Sequence, residues 1–154
     1  MTNKLLVSVI GVAALLATAV TMNAQPHHPR YLHARTDLRT AQMLMRVHDE
    51  PNVMRHVDAV HEEIRLAVAE IDRAAVIDRK DWVENPPIDA HLDRPGRFRE
   101  SMKLLARARK DISEEEDNPR AREWRNAAFR HIDAAMEQLR KAARDLKIDR
   151  LEGF

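Results

Sequence analysis

Apolar residues recur every three or four positions along four stretches of this chain, which is the spacing of one face of an α-helix. The clearest stretch opens at Pro51 and alternates steps of four and three without a break. Its apolar positions are Val53, Val57, Val60, Ile64, Ala67, Ile71 and Ala74. Such a seam predicts a helix that packs lengthwise against other helices, as in a coiled coil.

Three further stretches carry shorter seams of the same kind. The first begins at Pro29, ends near His48, and carries Tyr31, Ala34, Leu38, Ala41 and Met45. Another begins at Pro95 behind Asp93, with Phe98, Met102, Leu105, Ala108 and Ile112. The last begins at Pro119, with Ala121, Ala128, Ile132, Ala135, Leu139, Ala142 and Leu146. Because proline is favoured at the first helical position, we predict four helices that start at these prolines.

The second pair of helices repeats the pattern of the first pair. An offset of 68 residues aligns Ile64 with Ile132, and an offset of 67 aligns Leu38 with Leu105. The match is in pattern and size, so independent convergence is the alternative to the duplication that the aligned prolines favour. Two amphipathic hairpins can bury their faces against each other. The sequence therefore predicts an all-α fold, a four-helix bundle of two pseudo-repeated hairpins joined by a Pro-rich crossover loop.

The first 24 residues have the layout of a secretory signal peptide. Lys4 precedes an apolar run from Leu5 to Val20, and small residues follow, with cleavage expected after Ala24 or, alternatively, after Ala19. The run of about 16 residues is shorter than the roughly 20 that a membrane-spanning helix needs. We therefore expect a cleaved signal rather than an anchor, and a periplasmic or secreted protein.

Residues 25–154 are then expected to form a single four-helix domain. It comprises a first hairpin at 28–77, a connecting strap at 78–93 that contains Asn85-Pro86-Pro87, and a second hairpin at 94–147. A proline pair cannot continue a helix. The long connection leaves several bundle topologies open.

The amino-acid composition limits the kinds of molecule that the protein is expected to bind. The chain has no cysteine, which excludes disulfides and a lipid-anchored lipoprotein. Without Lys4 the expected mature chain carries 25 basic and 25 acidic residues. Nucleic acids and anionic membranes need a basic excess, so we expect no nucleic-acid partner and no membrane partner after signal cleavage.

Several strings spread over the expected mature chain resemble one family. They are His28-Pro29-Arg30-Tyr31-Leu32-His33-Ala34, the segment from Asp81 to Asp89 around the double proline, Glu115-Glu116-Asp117-Asn118-Pro119 and His131-Ile132-Asp133-Ala134-Ala135. Together they resemble a family of small exported bacterial α-helical proteins. The resemblance implies an exported four-helix fold and no assigned activity.

Histidine and methionine are concentrated in the first hairpin. Six of the eight histidines fall within residues 27–61, and imidazole and thioether ligands suit copper. The candidate metal ligands are His48, Met54, His56 and His61. Their spacing is poor, because His56 and His61 flank opposite sides of the helical seam. Scattered surface histidines with core methionines are the simpler interpretation, so we predict no cofactor, with copper as the alternative.

No catalytic set of residues is complete in this sequence. His33 and Asp37 are four residues apart and are expected to form a solvated helix pair. The sequence therefore predicts an exported, non-enzymatic binding or structural module, with transition-metal binding as the alternative. The expected partner is another protein or a second copy, in a homodimer formed by exchanging hairpins across the 78–93 strap.

Overall fold

Four α-helices follow the four amphipathic stretches of the sequence. The computed structural model describes residues 30–46, 48–77, 91–114 and 119–148. The helices are α1 (Arg30–Leu44), α2 (Pro51–Ile77), α3 (Arg94–Ser113) and α4 (Arg122–Asp145). They pack against one another as a four-helix bundle, which confirms the predicted fold class. The predicted signal peptide and residues 78–90 of the predicted strap lie outside the described residues.

Local chemistry explains where the helices begin. α2 begins at Pro51, as predicted. α3 begins one residue before the predicted Pro95 because Asp93 caps it, accepting a hydrogen bond from the Gly96 N–H at 2.7 Å. A Cβ atom at Gly96 would lie 2.6 Å from that carboxylate oxygen, so this cap requires glycine.

Two predicted helix boundaries differ from the structure, namely the end of the first helix and the start of the fourth. α1 ends at Leu44 rather than near His48, because the chain then turns to bring Asp49 to Arg94 of α3, with 2.8 Å between Asp49 Oδ1 and the guanidinium. The Asp49 side chain is only 4% exposed, so this ion pair fixes the path between α1 and α2. Pro119 opens a single 3-10 turn, and α4 begins at Arg122.

The two hairpins contact each other more extensively than the helices within each hairpin do. α2 packs most extensively against α4, and α1 against α3. The α2–α4 pair is antiparallel, since Asn52 donates a hydrogen bond to Asp145 at one end and Arg73 lies over the Trp124 ring near the other. This arrangement shows which of the bundle topologies left open by the sequence the chain adopts. It places the end of α2 and the start of α3 at opposite ends of the bundle.

Small side chains recur at every seventh position along the α2–α4 seam. They are Val53, Val60, Ala67 and Ala74 on α2, Ala121 in the 3-10 turn before α4, and Ala128, Ala135 and Ala142 on α4, all fully buried. The distance between packed helix axes depends on the side chains at the contact. Small residues let these two backbones approach closely, which explains why this pair makes the most extensive contact in the bundle.

The residues that the proposed repeat aligns share the same core. Leu38 and Leu105 are fully buried, as are Ile64 and Ile132. Convergent hairpins of one bundle would also bury these positions, so the duplication stays a prediction. Among the helices of the described ranges, none combines the length and apolar character needed to cross a bilayer.

The bundle should owe its stability to burial at the seam. Val57→Ala, at a side chain that is 1% exposed, should lower the free energy of unfolding by about 2–3 kcal/mol. Val76→Ala makes the same chemical change on the same helix at a side chain that is 63% exposed, and should change it by less than about 0.5 kcal/mol. Denaturant unfolding followed by circular dichroism measures both. Equal effects of the two substitutions would contradict the assigned core.

Candidate functional site: ion pairs between the helices

A bidentate ion pair joins α1 to α3. The Arg107 guanidinium donates from Nε to one Asp37 oxygen at 2.8 Å and from a terminal nitrogen to the other at 2.6 Å. The Asp37 side chain is 11% exposed, and its hydrogen bond raises the pKa of Arg107. The expectation of a solvated His33–Asp37 pair is wrong, because Asp37 faces α3 and bonds Arg107 there.

A second carboxylate lies beside this pair. Asp111 follows Arg107 by one turn on α3, and partial burial raises its pKa, with a further increase from the negative charge of Asp37. His33 and Arg107 lower the same pKa. The α1–α3 seam thus holds two carboxylates, one arginine and one imidazole, of which the Asp37–Arg107 pair is the tightly bonded part.

The α3–α4 seam is bridged in the same way. Arg109 donates to both carboxylate oxygens of Asp133, at 2.6 and 3.2 Å, and this hydrogen bonding raises the pKa of Arg109. Its guanidinium also lies 5.2 Å from the centre of the Phe129 ring. An arginine held between a carboxylate and an aromatic face is fixed in position more firmly than a lone surface pair.

Single contacts between charged or ionisable side chains bridge the remaining two seams. Between α2 and α4, His131 Nδ1 lies 2.7 Å from Glu63 Oε2. Between α1 and α2, Arg35 Nε lies 2.9 Å from Asp72 Oδ1, with the arginine side chain nearly buried. Together with Asp37–Arg107 and Arg109–Asp133, these contacts are named the interhelix ion pairs, and each of the four bridges a different pair of neighbouring helices. The α2–α4 seam also carries His56 and Asp145, with 3.7 Å between His56 Nε2 and Asp145 Oδ2.

The interhelix ion pairs hold neighbouring helices in position relative to each other. Each pair places a polar group within hydrogen-bonding distance of a complementary group on the neighbouring helix, and loss of Arg107 would leave the nearly buried Asp37 carboxylate uncompensated. Ser101 also links two helices, because its buried hydroxyl donates a hydrogen bond to the Ala41 carbonyl oxygen at 3.4 Å, across the α1–α3 seam. Such contacts fix which helices meet and in what register.

The predicted metal ligands occupy different surroundings. His48 is exposed before α2, and the Met54 sulfur accepts a hydrogen bond from the Asp49 N–H at 3.3 Å. His56 faces α4, where its Nδ1 lies 2.9 Å from Gln138 Oε1. His61 faces the end of α1 and bonds the backbone of Met45.

The copper hypothesis gains no support from this placement. Within the described ranges, no group of three or more His, Asp or Glu side chains is arranged to hold a metal ion. Metal binding by His48, Met54, His56 and His61 stays a prediction.

Sequence reasoning missed the interhelix ion pairs although a signal for them exists. Asp37, Glu63 and His131 each directly precede a large seam residue, namely Leu38, Ile64 and Ile132. Positions that flank a helical seam are where ion pairs set partner choice and orientation. Which residues pair depends on which helices are neighbours, and only the three-dimensional structure shows that adjacency.

No protein-family model, curated protein or solved structure matches this chain. The resemblance to small exported helical proteins stays a prediction.

His61 should make the bundle less stable in mild acid. Burial lowers its pKa below 6.5, and the positive charge of Arg46 lowers it further, while the bond to Met45 and the charge of Asp58 raise it. Below pH 6.5 the unfolded chain therefore binds the proton more readily, so stability falls as the pH drops from 6.5 through the folded-state pKa.

His61→Gln should reduce the loss of unfolding free energy between pH 7 and pH 5. His48→Gln replaces an exposed imidazole nearby and serves as the matched control. Denaturant titrations at several pH values measure the slopes. An unchanged slope in His61→Gln would refute the assignment.

Proposed function

We propose that this chain is an exported, non-enzymatic helical module of the bacterial cell envelope that acts by binding a protein partner. The observation that carries the proposal is the contact between the hairpins. Each hairpin presents an apolar seam flanked by charges, and the other hairpin occupies that seam through the α1–α3 and α2–α4 contacts. This is the recognition mode of an amphipathic helix in an apolar groove.

The outward faces are suited to water and to a polar partner. On α2, Arg65 donates to both oxygens of Glu62 at 2.8 and 2.6 Å, and this bonding lowers the pKa of the glutamate. A pair of this kind, three residues apart, adds little stability because both of its side chains are exposed. A partner that docks on these faces would meet charged side chains.

Export is the first part of the proposal to test. Expressed with residues 1–24 in a bacterial host, the chain should reach the periplasmic or extracellular fraction with the intact mass of residues 25–154. Cleavage after Ala19 would give the mass of 20–154 and would equally support export. Leu15→Arg, which breaks the apolar run, should keep the precursor in the cytoplasm. A full-length wild-type chain found only in the cytoplasm would overturn the proposal.

Partner binding is the second part. A photo-crosslinking residue placed at exposed positions on three helices, Asp58, Arg99 or Asn126, should give a discrete adduct in the native envelope from at least one position. Excess unlabelled protein should compete away a specific adduct, while random collisions would persist. An adduct of twice the chain mass indicates a second copy. Failure at all three positions would contradict a binding role.

A further inference from the structure

Positive charge is concentrated in the second hairpin. Residues 94–147 carry 15 basic and 10 acidic side chains, whereas residues 28–77 carry 7 basic and 8 acidic ones. The expected mature chain is balanced overall, so its net charge conceals this difference between the hairpins. An uneven distribution of charge directs binding of an oppositely charged partner to the charged part of the molecule.

This positive charge is exposed along the outer side of α3 and α4. Six exposed basic side chains lie there, three on each helix, with spacings close to whole helical turns. They are Arg99, Lys103 and Lys110 on α3 and Arg122, Arg130 and Arg144 on α4, and we call this surface the basic face. The bidentate pair between Arg109 and Asp133 holds the two helices side by side, so the six side chains share one surface.

The carboxylates of this hairpin leave much of the positive charge available. Glu137 is shared between two cations, at 3.9 Å from the Arg140 guanidinium and 3.6 Å from that of Arg144. Lys110 Nζ lies 3.8 Å from a Glu114 oxygen. All three distances exceed hydrogen-bond length, so these cations keep donors for another acceptor.

The outer face of α2 is balanced by comparison. Between residues 51 and 72 its exposed charged side chains are two cations and two anions, namely Arg55, Asp58, Glu62 and Arg65. Arg65 is already bonded to both oxygens of Glu62. An anionic partner would therefore meet as much repulsion as attraction on α2, and the basic face is the better surface for it.

The acids among these cations favour a protein over a membrane or a nucleic acid. Asp133 and Glu137 are exposed on the same side of α4, where a continuous layer of phosphates or lipid headgroups would be placed against them. The exposed large apolar side chains of the described residues are Met43 and Val76, which both lie on the first hairpin, whereas a helix that lies in a membrane inserts such side chains. A protein segment with separate carboxylates can contact the cations and leave these acids in water.

We propose that the partner of this chain is a protein with an acidic segment, and that the segment docks on the basic face. The proposal rests on the proposed binding function and names the chemistry of the partner. Clusters of arginine recognise acidic motifs through charge-assisted hydrogen bonds to carboxylates. Because the basic face is exposed, salt should screen the contact.

The test places a photo-crosslinking residue at Asn126, which is exposed on α4 four residues from both Arg122 and Arg130. In the native envelope it should give a discrete protein adduct whose crosslinked peptide, identified by mass spectrometry, has a net negative charge. Arg122→Gln combined with Arg130→Gln should lower the adduct yield at least about tenfold, because two charge-assisted hydrogen bonds are lost. Raising the salt concentration from about 0.05 M to about 0.5 M should lower the yield in the same way.

Arg55→Gln combined with Arg65→Gln is the matched control. It removes the same two positive charges from the outer face of α2 and should leave the adduct yield within about twofold of wild type. Both double variants change exposed side chains, so denaturant unfolding followed by circular dichroism should show wild-type stability.

Three outcomes would overturn the acidic partner and leave the binding function standing. They are an adduct at Asn126 that both double variants form equally well, an adduct on a neutral or basic peptide, and an adduct obtained from Asp58 alone. Absence of an adduct at Asp58, Arg99 and Asn126 alike would overturn the binding function as well.

A membrane is the remaining occupant to test. Purified wild-type protein should stay in the supernatant when vesicles with about 30% anionic phospholipid are sedimented at physiological salt. Sedimentation with the vesicles that Arg122→Gln combined with Arg130→Gln abolishes would assign the basic face to a lipid surface and overturn the proposal.

Discussion

Close packing of α2 against α4 is the constraint from which the rest of the structure follows. Small residues such as Ala67 and Ala135 let the two backbones meet, and larger ones such as Ile64 and Ile132 fill the space on either side. Because the two helices belong to different hairpins, each hairpin finds its principal partner outside itself. The chain has no cysteine, so this mutual burial has no disulfide to support it.

The positions of the charged side chains specify the partner helix and the register, which burial of apolar surface alone does not. Apolar surface is non-directional, and a seam of similar residues tolerates several partners and registers. Asp37–Arg107 and Arg109–Asp133 remove that freedom because a bidentate contact is satisfied at only one register. Their contribution to stability is modest, but misplacing the nearly buried Asp37 carboxylate would be costly, so the Asp37–Arg107 pair disfavours arrangements that separate these two residues.

The sequence predicted the buried apolar residues well and the polar contacts between helices poorly. The periodicity from Val53 to Ala74 identified a helix and its buried face, because burial along a helix is a local property of spacing. The end of α1 at Leu44 was not predicted, because it depends on Asp49 reaching Arg94 on another helix. Asp37 was taken for a solvated residue for the same reason: its partner lies 70 residues away.

Stability and specificity therefore reside in different residues of this molecule. A substitution at Ile64 would weaken the packing of α2 against α4, since that side chain is fully buried. Reversing the charge at Glu63, one residue earlier, would leave the apolar seam intact and remove the contact with His131 that joins α2 to α4. Burial at the apolar seam therefore supports the bundle as a whole, and the polar contacts beside the seam determine which helices are neighbours and in what register.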